Sequence, residues 1–107
     1  MILYVRKTFG EEKVSIVVEP TTLNVYFKLK DVLRILYKND RHVRIDETNL
    51  KIFQEFPRTK YANMEGLVFL CIKSPLIGVA KNLHKWAQSM EFCSKWNINV
   101  VKPNVTF

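Results

Sequence analysis

Apolar and polar residues alternate along much of the N-terminal third of the chain. From Lys13 to Glu19, Val14, Ile16 and Val18 fall on one side and Lys13, Ser15 and Glu19 on the other, the period of a half-buried strand. From Asn24 to Leu29, Val25, Phe27 and Leu29 alternate with Asn24, Tyr26 and Lys28 in the same way. Ile2 to Phe9 reads as a further strand, Gly10-Glu11-Glu12 as a turn, and Pro20-Thr21-Thr22 as a break. Consecutive short strands joined by short turns predict an antiparallel meander.

The period then changes. Val32, Leu33 and Leu36 form an apolar helical stripe, with Lys30, Arg34 and Lys38 recurring every four residues on the other side. A strand thus runs straight into a short helix over Lys30–Lys38, with Asp31 in its first turn and Lys38 in its last, both favourable to the helix dipole. Asn39 to Asn49 is polar and reads as a loop. Thr48 to Phe56 fits a short helix or a strand equally well. Pro57-Arg58-Thr59 is a turn, and Lys60 to Ala62 a short strand. Asn63-Met64-Glu65 opens a helical run through Ile72. Ser74 is a natural N-cap and Pro75 fits the first helical position, so a long helix is expected from Pro75 to about Glu91. Its seam is Leu76, Ala80, Leu83, Ala87 and Met90, with Val79 and Trp86 beside it. Residues 92–107 read as a tail or an edge strand, Asn97 to Val101 alternating weakly before Pro103. The expected fold class is α+β: a small antiparallel sheet, its N-terminal strands a three-strand meander, with helices packed on one face.

At 107 residues and 48% hydrophobic the chain is one domain, 1–107, able to bury a core without a metal or a disulfide. Charge adds direction. The chain carries 17 Lys and Arg against 10 Asp and Glu, hence +7. Residues 28–44 hold six basic residues against two acidic, and residues 73–107 hold five against one. Such clustering suits a polyanionic partner, although charge of this size also serves solubility. Cys71 and Cys93 have no C-x-x-C spacing and no clustered histidines, which argues against a zinc site. Cys71 lies in the apolar run Leu67–Ile72, where it acts as a small hydrophobe, so two reduced thiols in an intracellular protein are expected. The first residues are charged too soon for a signal peptide, and no apolar run reaches the length of a membrane span.

The candidate chemistry is cationic. Lys30, Arg34 and Lys38, with Arg41 and Arg44 in the following loop, match a phosphate backbone better than a substrate pocket, and arginine suits bidentate phosphate contact. The competing reading is a solvated helix face with Asp31 and Asp40 pairing part of the charge. Lys73, Lys81, His84 and Lys85 form a second, sparser set. Trp86 reads as core and Trp96 as the better candidate for an exposed stacking contact. His42 and His84 have no Ser or Cys in a nucleophile context. With three glycines there is no phosphate-cradling loop, and no catalytic motif occurs. An enzyme, a cofactor and a small-molecule substrate are not expected.

Two blocks of the chain together resemble the Bro-N domain, the N-terminal domain of the baculovirus repeated-ORF proteins and of some phage antirepressors. Tyr26-Phe27-Lys28-Leu29-Lys30-Asp31-Val32 followed by Tyr37-Lys38-Asn39 is similar to that family's aromatic, F-V-x-K-D-V and Y-x-N run. Asn63-Met64-Glu65-Gly66-Leu67, Ile72-Lys73-Ser74-Pro75-Leu76, Ala80, Leu83 and Trp86 follow its N-E-x-G-L, R-S-K-x-P and F-x-x-W spacing, so that the likeness covers about residues 1–91. The resemblance implies a viral or phage domain that binds DNA, or RNA, in a host nucleus or cytoplasm. The alternative is a non-enzymatic protein-interaction module on the same scaffold, a homodimer or a binder of a host protein, to which the tail residues Val100, Val101, Val105 and Phe107 could contribute.

Overall fold

The computed structural model describes residues 2–38 and 43–96, with side chains through Glu91. In chain order the elements are β1 (Leu3–Phe9), β2 (Glu12–Val18), β3 (Val25–Lys28), α1 (Leu29–Tyr37), a 3-10 turn (Glu47–Asn49), β4 (Leu50–Ile52), β5 (Lys60–Ala62), α2 (Met64–Lys73) and α3 (Ile77–Trp96). The strands form one antiparallel sheet in the order β1-β2-β3-β5-β4. The fold is α+β, and its first three strands are the expected meander. Gly10, at φ 60°, supplies the positive φ that the two-residue loop between β1 and β2 requires. The ambiguous stretch from Thr48 resolves as a 3-10 turn and then a strand, because Leu50–Ile52 pairs with Lys60–Ala62.

The main core lies between the sheet and the helices. Val14, Ile16, Val18, Val25 and Phe27 from the sheet meet Val32, Ile35 and Leu36 of α1, Leu67 and Leu70 of α2, and Ala80, Leu83 and Ala87 of α3. The predicted seam of α3 is therefore correct in phase. The expected polar face of β2 is not: Ser15 and Val17 are also buried. The loop after β4 folds back over that side of the sheet, and Val17, Phe53 and Tyr61 form a second small core with Tyr26 and Phe56 against it. The edge-on rings of Phe53 and Tyr26 lie 5.1 Å apart and those of Phe53 and Tyr61 5.6 Å apart. Helices cover one face, and an aromatic loop covers part of the other.

Two helix boundaries differ from expectation. Ser74 does not cap a helix starting at Pro75. Its Oγ donates to Leu36 O at 2.7 Å and accepts from Leu76 N at 3.1 Å, which ties the α2–α3 corner to α1, and α3 begins at Ile77. The same helix runs on to Trp96 rather than ending near Glu91, since no Gly or Pro interrupts residues 91–96. Trp96 is thus part of the helix, not outside it. The edge strand expected at residues 97–101 and the tail residues Val100, Val101, Val105 and Phe107 lie outside the described residues, as do Asn39, Asp40, Arg41 and His42.

α2 starts as the sequence indicated. Asn63 caps it, its side chain accepting from Gly66 N at 2.8 Å. Gly66 is a close-approach glycine. A Cβ there would sit 3.1 Å from both Asn49 Cβ and Ile45 Cδ1, so its absence lets the segment before β4 lie against the helix.

Candidate functional site

The junction of β3 and α1 organises the charged surface. β3 pairs with β2 only as far as Ile16↔Phe27, because the chain turns into helix at Leu29. That leaves Ser15, only 4% exposed, without a strand partner for its N–H on that side. Asp31 takes the place of the missing strand: Oδ2 accepts from Ser15 N at 3.0 Å. Its other oxygen, Oδ1, accepts from Arg34 Nη1 at 2.9 Å, and the carboxylate is 7% exposed as a residue. Asp31 therefore does more than complement the helix dipole. It extends the ladder from the helix side.

This arrangement occupies Arg34. Its Nε donates to Glu12 Oε1 at 2.7 Å and its Nη2 to Lys13 O at 3.2 Å, in addition to the Asp31 contact. The Glu12 hydrogen bond, with Asp31 behind it, raises the arginine pKa further. Arg34 and Lys38 border a hollow with Gly10, Glu11 and Glu12 of the hairpin, so acidic residues face them. The helical row Lys30, Arg34, Lys38 is thus divided by its surroundings. Lys30 stands on a different opening, Arg34 is paired, and Lys38 is exposed at the C-cap with φ 55°. Arg44 is exposed before the 3-10 turn. Arg41 is outside the described residues.

Lys30 belongs to a cleft of about 350 Å³ lined by Lys28, Leu29, Lys30, Leu33, Arg58, Thr59 and Lys60. The topology explains the convergence. Lys28 pairs across the ladder with Tyr61, next to Lys60, and Arg58 sits on the loop held by Phe56 N–Phe53 O and Thr59 N–Phe56 O hydrogen bonds. Among the described residues four cations line the cleft and no carboxylate does. Lys60 alone has a described acidic contact, a long 3.4 Å approach to the exposed Glu47. The cleft also receives the N-terminal end of α1, whose N-cap Lys28 makes no side-chain capping bond. The positive end of the helix dipole adds to the four side chains. Asp31, the acid of that first turn, faces inward to Ser15 and Arg34. Sequence reading found Lys30 but missed Lys28, Arg58 and Lys60, because their meeting depends on the β3–β5 pairing.

Lys73, Lys81 and Lys85 stand on α2 and α3, not on the elements that build the cleft. All three are exposed, and His84 is half-buried between Lys81 and Lys85. Trp86 is core-side as expected: its indole Nε1 donates to Thr8 O at 3.1 Å, and its rings lie 5.7 Å from Phe9 and 6.1 Å from Phe27. Among the described residues no group of three or more His, Cys, Asp or Glu is placed to hold a metal ion, and no helix is long and apolar enough to cross a membrane. Comparison with protein-family models, curated proteins and solved structures returns no match to this chain.

Proposed function

We propose that this chain is a nucleic-acid-binding domain that holds phosphates at the β3–α1 cleft. The observation that carries the reading is the set Lys28, Lys30, Arg58 and Lys60 around one opening, with no carboxylate in its lining among the described residues and an uncapped helix N-terminus beside it. The Bro-N-like run Tyr26–Val32 supports it, since Lys28 and Lys30 lie within that motif. Contacts of this kind bind phosphate and carry little base code, so the expected preference is for polyanion over sequence. DNA and RNA both fit. Arg44 and Lys38 would extend the contact along a strand, and Arg34 would not, being engaged by Glu12 and Asp31.

A salt titration tests the reading. About four phosphate contacts predict a slope of log K against log salt near −4 on duplex DNA and about −3 on single strands. Lys30→Ala with Arg58→Ala should weaken binding to all sequences alike and flatten that slope by about two units, while Arg34→Ala flattens it by less than about half a unit. Lys30 and Arg58 are exposed, so the fold should survive. Undetectable binding by the folded wild-type chain at low salt would overturn the proposal in favour of a protein-interaction module. Binding unchanged in the double variant would move the site away from the cleft.

A further inference from the structure

α2 and α3 meet in an apolar groove away from the cleft, floored by the core residues Cys71 and Ala80. It has a volume of about 300 Å³, and Val68, Cys71, Ile72, Ile77 and Ala80 form its apolar lining. Ile72 is 77% exposed and Ile77 67%, and Phe69 one turn from Lys73 is also open to solvent. Ser74, the one hydroxyl in the lining, has spent it on Leu36 O and Leu76 N, which leaves Lys81 and His84 as the polar side chains at the groove. Isolated exposed apolar residues need no explanation, but a concave cluster of them does.

Among the described residues the rim is basic. From Gly66 to Met90 the chain contains Lys73, Lys81 and Lys85 and no Asp or Glu. Lys81 and His84 border the groove itself. Lys73 Nζ lies 5.5 Å over the Phe69 ring, and none of the three lysines has a carboxylate partner among the described residues.

We infer that this groove docks an acidic amphipathic helix of a partner protein, its apolar side chains seated between Ile72 and Ile77 and its carboxylates on Lys73, Lys81 and Lys85. The charge selects this occupant. A second copy would bring the same lysines face to face. The chain's own residues 97–107 carry Lys102 and no acid, and so offer no complement. A concave seat fits discrete side chains from one face of a helix, the helix-in-groove mode of recognition.

A labelled peptide of about 15 residues, with leucines at i, i+3, i+4 and i+7 on one face and glutamates on the other, is the probe, read by fluorescence anisotropy against the full chain at low salt. Saturable binding is expected. Ile77→Glu should weaken it at least about tenfold, and so should Lys81→Glu with Lys85→Glu. All three residues are exposed, so these variants should keep the wild-type circular dichroism spectrum. The cleft variant Lys30→Ala with Arg58→Ala should bind the peptide as the wild type does, which separates this site from the proposed phosphate site. A peptide with serines in place of the leucines that binds equally well would reduce the effect to polyanion attraction and overturn the inference. So would affinity within about twofold of wild type for Ile77→Glu. Ile77-dependent self-association in sedimentation would give the groove to a second copy, Ile77-dependent binding to anionic vesicles would give it to a lipid surface, and tighter Ile77-dependent binding of a peptide of residues 97–107 would give it to the chain's own C-terminus. Each of these also sinks the proposal.

Discussion

Removing the Asp31 carboxylate should expose how the sheet and α1 are joined. Asp31→Ala takes away the acceptor of Ser15 N–H, a buried donor whose strand partner has already turned into helix. Leaving such a donor unsatisfied costs about 1–3 kcal/mol. The same change removes the ion pair with Arg34, whose side chain is 45% exposed, so this part is worth at most about 1 kcal/mol. Together the loss should be roughly 1–4 kcal/mol. Asp31→Asn can keep a carbonyl on Ser15 N–H but turns an amide toward the guanidinium, and should cost only about 1–2 kcal/mol. Urea unfolding followed by circular dichroism gives each value, with an unchanged m showing that the comparison is sound. A cycle adding Arg34→Ala should find a coupling of about 1 kcal/mol between the two side chains. The reasoning fails if Asp31→Ala lies within about 0.5 kcal/mol of wild type. It fails differently if Asn costs as much as Ala, because the charge rather than the acceptor would then be holding the strand.

Three further expectations follow from the same structure. Leu83→Ala empties a fully buried site in the main core and should cost roughly 2–5 kcal/mol in urea unfolding; a value under about 1 kcal/mol would place Leu83 outside the core. Glu19 accepts from Lys51 Nζ at 2.6 Å and Tyr26 OH at 2.8 Å, and the Lys51 bond leads in holding its pKa below the ordinary value. Its contribution is present above the unfolded carboxylate range and is lost as pH falls through the folded value, so Glu19→Gln should flatten the decline in stability between about pH 5 and pH 3, and an unchanged decline counts against the network. Burial pushes the Cys71 thiol up to about 11, so peptide mapping after iodoacetamide at pH 7 should find Cys71 unmodified in the folded chain and modified in denaturant; fast native labelling would contradict its burial.

Most of the fold was legible because its signals are local. Alternation marked β1 to β3, a period change marked α1, and Asn63 marked the start of α2. What stayed hidden was set by tertiary partners. Ser74 looks like an N-cap, yet its hydroxyl bridges Leu36 O across the molecule and Leu76 N, and α3 starts only at Ile77. Ser15 reads as the solvent side of β2, but Tyr4 and Asp31 hydrogen-bond to it, and the loop carrying Phe53 and Phe56 packs on Val17 of the same side. The candidate site follows the same division. Spacing alone put Arg34 in line with Lys30, and the contacts with Glu12 and Lys13 O on the hairpin, added to Asp31, show that it is engaged. Arg58 and Lys60 lie in a segment whose charges nearly balance in the sequence, and they join Lys28 through strand pairing that spacing does not encode.

The strand order has a consequence for how copies of this chain meet one another. Among the described residues it leaves β1 and β4 as the edges of the sheet. β4 is only three residues long, too short a template for adding another strand. β1 is longer, at seven residues, but Arg6 and Lys7 stand exposed in its middle. Antiparallel pairing of two such edges about their centres would bring these cations together. The basic composition therefore also guards against edge-to-edge aggregation, and salt that screens the cations should weaken that guard.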